Sequence, residues 1–228
     1  MTSSFDILRQ YAKEQPDAVA VVTPYRLASY RKMWSRIERS TARLHAEWGV
    51  RPGDTIAYFG CGHLDALVMY FAVARCGARL LPLEHPGLQQ GATDLLHASA
   101  AVLVLHDDAL LPDARALGVP CKPLSSLIAT ACRHRESVLE DEASISLLEL
   151  PGDGGTPPGP PRERSLAALK AASLACPAGH RVVEAALFDT GVFAPVVLAS
   201  LLTGAALTLG GASVESDLRT SGPRTERD

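Results

Sequence analysis

The sequence predicts an α/β fold, a mostly parallel sheet flanked by helices, and three observations predict it. Short apolar runs of strand length alternate with longer segments at helical spacing. The runs are continuously apolar rather than alternating, and glycines stand just past the ends of helical segments. Continuous apolar strands belong to sheets covered on both faces, and strands alternating with helices imply parallel βαβ units. With 47% hydrophobic and 21% charged residues among 228, the chain can bury a substantial core.

In order, Phe5–Lys13 is expected as a short amphipathic helix ended by Gln15-Pro16, and Ala18–Val22 as a strand. Ser29–Trp48 is expected as a helix with Met33, Ile37, Ala42 and Leu44 on its buried stripe, and Gly49 just beyond its end. Pro52-Gly53-Asp54 makes a turn. Strand Thr55–Phe59, helix Leu64–Cys76, strand Arg79–Leu83, helix Leu88–Ser99 and strand Ala101–Leu105 follow, with Gly77 past a helix end. A short strand at Gly118–Cys121 and a helix at Leu124–Cys132 lie in a less regular stretch. Strand Ser144–Leu150, a glycine- and proline-rich loop, helix Arg164–Ala175, strand Val182–Phe188, helix Val192–Leu202 and strand Ala205–Leu209 complete the pattern. One domain is thus expected over 1–209, with a disordered polar tail over 210–228.

The net charge of −3 and the scattered basic residues give no reason to expect a nucleic-acid partner. The most apolar helical stretches are too short to span a bilayer, and the polar start, Met1 to Asp6, lacks a secretory pattern. Cys61, Cys76, Cys121, Cys132 and Cys176 are widely spaced, with no metal-ligand spacing among them. Reduced structural thiols in a cytoplasmic protein are the expectation.

Gly60-Cys61-Gly62 follows a strand and opens a helix, and Glu84 ends the next strand, as a dinucleotide-binding fingerprint requires. Asp65 stands at its third glycine, however, and would oppose a pyrophosphate, so a turn with a helix N-cap is the favoured reading. His63, His85 and His106 fall near strand ends, at the sheet edge where open α/β folds bind ligands. A serine–histidine–acid set among them stays open, although no G-x-S-x-G elbow is present.

Several segments, in order and at matching spacing, carry a family resemblance. Pro16-Asp17-Ala18-Val19-Ala20 with Ser29-Tyr30 resembles a "P-D-x-x-A … T-Y" opening, and Gly49–Ala57 is similar to "G-V-x-x-G-D-x-V-A". Ala72–Ala78 with Leu81-Pro82-Leu83 resembles "A-x-x-x-A/K-x-G-A … x-P-L", and Leu95–Val102 resembles "L-x-x-S-x-A-x-V". Over residues 5 to 209 the chain resembles the N-terminal portion of the adenylate-forming superfamily: acyl- and aryl-CoA synthetases, peptide-synthetase adenylation domains and luciferases. The resemblance implies that superfamily's N-terminal α/β subdomain. It also implies ATP or AMP with Mg²⁺, if the family's function persists.

The superfamily's nucleotide-gripping signature, "T-S-G-T-T-G-x-P-K-G", falls on Leu150 to Gly159. Gly152, Gly155, Pro157 and Gly159 agree, while Pro151, Asp153 and Gly154 replace hydroxyls and Pro158 replaces the lysine. Gly152, Asp153, Gly154, Gly155, Thr156 and Gly159 are therefore expected as the remnant of a nucleotide loop. A triphosphate loop offers N–H groups, hydroxyls and a cation. Proline has no N–H, and two like charges about 4 Å apart repel by roughly 4 kcal/mol at an effective dielectric near 20. The histidine expected before the next helix is also missing, with Arg164 and Ser165 in that neighbourhood.

The superfamily's acid-binding half, its Mg²⁺-linked motif, its ribose-gripping aspartate and its mobile domain with a catalytic lysine find no counterpart in these 228 residues. No catalytic residue and no metal ligand is therefore assigned, and no cofactor is expected. The expectation is a non-catalytic or residual-binding relative, acting as a homodimer or with a synthetase-like or carrier-protein partner. The alternative is one half of a split synthetase completed in trans.

Overall fold

The computed structural model describes residues 2–83, 92–110, 118–129, 140–150, 161–177, 179–183, 187–189 and 191–210. Its strands form two sheets rather than one. The first has four strands in the order β2-β1-β10-β9, comprising β1 (Val19–Thr23), β2 (Arg26–Ser29), β9 (Arg181–Val183) and β10 (Leu207–Leu209). The second has six, in the order β6-β5-β3-β4-β7-β8: β3 (Thr55–Phe59), β4 (Arg79–Pro82), β5 (Ala101–His106), β6 (Cys121–Pro123), β7 (Ile145–Glu149) and β8 (Arg162–Ser165). All pairings are parallel except two: β2 runs antiparallel to β1, and β8 antiparallel to β7. The mostly parallel α/β class holds, and the division into two sheets corrects the expectation of a single one. That division depends on β1 pairing with β10, from near the opposite end of the chain, which no local pattern announces.

Helix α1 is Ser4–Glu14, α2 is Tyr30–Ala42 continued by a π-helical turn at Arg43–Glu47, and α3 is Leu64–Arg75. Then come α4 (Ala92–Ala98), α5 (Leu124–Ile128), α6 (Leu166–Leu174) and α7 (Ala199–Leu202), the last preceded by a π-helical stretch at Phe193–Leu198. Serine hydroxyls cap three of these helices. Ser3 accepts from the Asp6 amide, Ser29 from Lys32 and Ser165 from Ala168, satisfying N–H groups that lack intrahelical partners. Gly77 follows α3 at φ 67°, a left-handed conformation that glycine adopts without the Cβ clash.

Helix α3 is buried on every side from Ala66 to Ala74, as its unbroken apolar run requires. It lies within the larger core, which takes in apolar side chains of both sheets and of α1, α2 and α6. Tyr70 on α3 meets Phe71, Phe188 and Phe193 with ring centroids 4.6–5.9 Å apart. A smaller core of Ala57, Phe59, Leu81, Leu83, Val104 and Leu148 fills the other face of the six-stranded sheet beneath Ala92 and Leu96 of α4. Several expected boundaries shift: the strand expected at Gly118–Cys121 is β6 at Cys121–Pro123, and the one expected over Val182–Phe188 is β9 at Arg181–Val183, with Leu187 and Phe188 in a turn. Arg162–Ser165, partly expected as helix, is an edge strand before α6, and Arg26–Ser29 is a strand before α2. Among the described residues, no helix is long and apolar enough to cross a membrane.

Candidate functional site

The parallel strands of the six-stranded sheet present their carboxyl ends together, and the Gly60-Cys61-Gly62 turn lies there. Asp107, the first residue after β5, fills that turn. Its carboxylate accepts from the Cys61 amide at 2.8 Å, the Tyr58 hydroxyl at 3.1 Å and His63 Nε2 at 2.9 Å. A Cβ on Gly60 would stand 2.6 Å from both the Asp107 carboxyl and the Tyr58 hydroxyl, so only glycine leaves room for this group. Burial pushes the Asp107 carboxyl up. Bonds from His63, the Cys61 amide and Tyr58 outweigh burial and hold it below the usual carboxylate range.

These contacts consume the donors a phosphate would need. The Cys61 amide is taken by Asp107, and His63 caps α3, its Nδ1 accepting from the Asp65 amide at 3.2 Å. Asp65 itself binds Arg26 at 2.6 Å and Arg36 at 3.3 Å. The turn is structural, as the N-cap reading expects. With Nδ1 accepting, His63 Nε2 carries the proton and donates it to Asp107, so neither nitrogen is left to act as a base. His106 is fully buried, its Nδ1 donating to the Asp107 carbonyl at 2.9 Å, and no hydroxyl meets its Nε2. No serine among the described residues bonds His63 or His106. His85 and Glu84 lie outside the described residues.

The second element is the antiparallel pair β7–β8, which carries the remnant loop between its strands. Gly152, Asp153, Gly154, Gly155, Thr156 and Gly159 lie outside the described residues, so the structure speaks for the root of the loop. There Glu149 is 3% exposed, its Oε2 has no hydrogen-bond partner, and Arg164 stands 4.0 Å away. Two orphaned atoms of opposite character therefore stand at the root of the loop, the Glu149 Oε2 acceptor and the buried Arg164 Nε donor. Sequence reasoning missed Glu149, although a lone carboxylate in the apolar run Ile145–Leu150 was a visible signal. It missed Asp107 too, whose role appears only once the Gly60 turn folds against β5.

Cys61 is exposed, Cys76 buried, and Cys121 and Cys176 intermediate; Cys61, Cys76 and Cys176 are free thiols, Cys121 Sγ donates to the Val119 carbonyl at 2.9 Å, and Cys132 lies outside the described residues. No group of three His, Cys, Asp or Glu among the described residues is placed to hold a metal.

A family model described as "AMP-binding enzyme" matches residues 8–170, most of the chain, and the chain belongs to that family of adenylate-forming enzymes. Among characterised relatives, phosphinothricin tripeptide synthetase PhsC of Streptomyces viridochromogenes is 35% identical over 99 residues, 43% of this chain and 9% of that protein. Feruloyl-CoA synthase of an Amycolatopsis species is 33% identical over 124 residues, 50% of this chain and 24% of that protein.

The solved N-terminal domain of FACL13 from Mycobacterium tuberculosis overlays with a TM-score of 0.78 at 16% identity, covering 96% of this chain and 59% of that one. The N-terminal subdomain of NpsA from Klebsiella oxytoca gives 0.71 at 19% identity, covering 96% and 56%. O-succinylbenzoate coenzyme A synthetase from Bacillus subtilis, solved with AMP, gives 0.74 at 17%, covering 94% and 58%. These establish a shared fold, and the chain spans little more than half of each.

The family binds ATP or AMP with Mg²⁺. Among the described residues at the root of this loop, Glu149 Oε2 and Arg164 Nε are both buried without a partner, the first suited to a cation and the second to an anion. The loop's own sequence adds Asp153 and removes the lysine.

Proposed function

We propose that this chain is a relative of the acyl-activating, AMP-forming ligases that does not adenylate an acid by itself and works by association with a protein or a small molecule. The observation that carries this reading is the substitution pattern at 150–159. Proline stands where a hydroxyl and the lysine belong, and aspartate where another hydroxyl belongs. Glu149 puts a buried carboxylate at the root of the same loop, with the Arg164 guanidinium 4.0 Å away. Catalysis of phosphoryl chemistry is mainly positioning and charge stabilisation, and each lost donor costs about 10²–10³ in rate. Gly152, Asp153, Gly154, Gly155, Thr156 and Gly159 are, on this reading, a structural remnant.

The partner is a second copy, a synthetase-like protein or a carrier protein. One relative, the D-alanine–D-alanyl carrier protein ligase of Bacillus licheniformis, 26% identical over 104 residues and matched over 20% of its length, has a carrier protein in its name. Light scattering tests association directly: complexes are expected, and a monomer persisting at high concentration would count against it. Thermal shift with ATP, AMP, CoA and fatty acids tests the small-molecule arm. A ligand at 100-fold its Kd adds about 2.7 kcal/mol.

A second reading, a split synthetase completed in trans, is favoured by the fidelity of the scaffold, with 96% of the chain overlaying on FACL13. Acid-dependent pyrophosphate exchange on mixing with a candidate partner would support it, and absence of exchange with every partner would end it.

A further inference from the structure

Away from the loop, four cations gather where β2 meets α2. Arg26 and Arg36 share one carboxylate, Asp65, at 2.6 and 3.3 Å. Arg39, one turn beyond Arg36, finds a hydroxyl instead, its Nη1 donating to Ser35 at 2.7 Å, and its Nε has no acceptor. Lys32, one turn before Arg36, is exposed. Positions 32, 36 and 39 share one helical face, so four cations there answer to a single carboxylate. Burial pulls the Arg36 guanidinium below its usual value, and Arg26 and Arg39 add to this while Asp65 opposes it. The cluster is over-supplied with positive charge in a chain whose net charge is −3.

In the turn before Arg26, Tyr25 is 96% exposed. β2 is the end strand of its sheet and pairs only with β1 among the described strands. Arginine and tyrosine at an exposed edge make the composition of a protein-binding patch.

We propose that this β2–α2 face docks an acidic segment of a partner protein, carboxylates on Arg36, Arg39 and Lys32 and an apolar side chain on Tyr25. It rests on the reading that the chain works by association and names the chemistry of the partner. Asp65 shows that Arg26 and Arg36 are spaced to grip one carboxylate. The apolar flank gives a peptide contacts that a small phosphate would not use. Such a surface orients a partner and speeds its approach at low salt.

The test is fluorescence anisotropy of the whole chain with a labelled peptide of glutamate and leucine at helical spacing, and a lysine–leucine peptide as control. The acidic peptide is expected to bind at about 20 mM salt and to weaken roughly tenfold or more by about 0.5 M. The Arg36→Glu, Arg39→Glu double variant should bind it roughly tenfold or more weakly. Because that variant disturbs the Asp65 pairs, exposed Lys32→Glu and Tyr25→Ala serve beside it. Each should weaken binding about two- to fivefold, the Tyr25 effect persisting at high salt. Equal binding by the charge-reversed variants, equal binding of the lysine peptide, or displacement by inorganic pyrophosphate at peptide-like concentrations would each overturn the proposal. Complexes seen by light scattering that survive charge reversal unchanged would sink this surface and leave association itself standing.

Discussion

Gly60 and Asp107 are in such close approach that a single methyl group at position 60 would overlap the carboxylate, 2.6 Å from its Cγ. The two residues lie in neighbouring parallel strands' exit loops, and their contact closes the turn that opens α3. Gly60→Ala must displace Asp107 or Tyr58, and overpacking of this kind costs about 1–3 kcal/mol. Urea unfolding measures it. A loss below a few tenths would show that the turn yields freely.

Asp107 also sets a pH dependence. Its folded-state value is depressed, so it contributes stability above the unfolded carboxylate value of about 3.9, and that contribution is lost as pH falls through the folded value. At neutral pH Asp107→Asn should cost about 1–3 kcal/mol through its three weakened bonds. The gap between variant and wild type should narrow as pH falls below about 4. A gap constant down to about pH 2 would contradict the assignment.

Arg9 and Arg75 flank Trp34, their guanidinium carbons 5.0 and 4.9 Å from its ring, and both donate to Glu140 at 2.7–2.8 Å. This joins α1, α2 and α3 to the segment before β7. Arg75 is 11% exposed and Arg9 42%, so the two should not be equivalent. Arg75→Met is expected to cost about 1.5–3 kcal/mol by removing charge-assisted hydrogen bonds at a mostly buried site, and Arg9→Met less than about 1. Equal losses in thermal unfolding would refute the ranking.

Glu149 is buried with one oxygen unsatisfied and its cation at 4.0 Å, the outer limit of an ion pair. Replacing it with neutral glutamine removes an under-compensated charge. Glu149→Gln should be neutral or stabilising by up to about 1 kcal/mol. A loss above about 2 kcal/mol by denaturant unfolding would mean that the carboxylate is fully paired.

Much of this architecture was legible in the residues. β3 begins and ends as expected, at Thr55 and Phe59, and α3 takes in the uninterrupted apolar stretch from Ala66 to Ala74. β2 and β8 escaped because R-L-A-S and R-E-R-S are short, charged edge strands, which carry no apolar pattern and resist edge-to-edge association by that charge. The split into two sheets rests on pairing between Val21 and Leu207, beyond the reach of any local rule. At the site, the spacing around Gly60 correctly placed a turn and a cap. The occupant of that turn, Asp107, became visible only with β3 and β5 side by side.

The central claim is that the loop carried by β7 and β8 no longer attracts a triphosphate, and calorimetric titration of the whole chain with ATP and Mg²⁺ tests it most directly. The account predicts no saturable binding up to about 1 mM, a limit near −4 kcal/mol. Saturable binding at about 10 µM that disappears when Gly154 and Gly155 are replaced would contradict it.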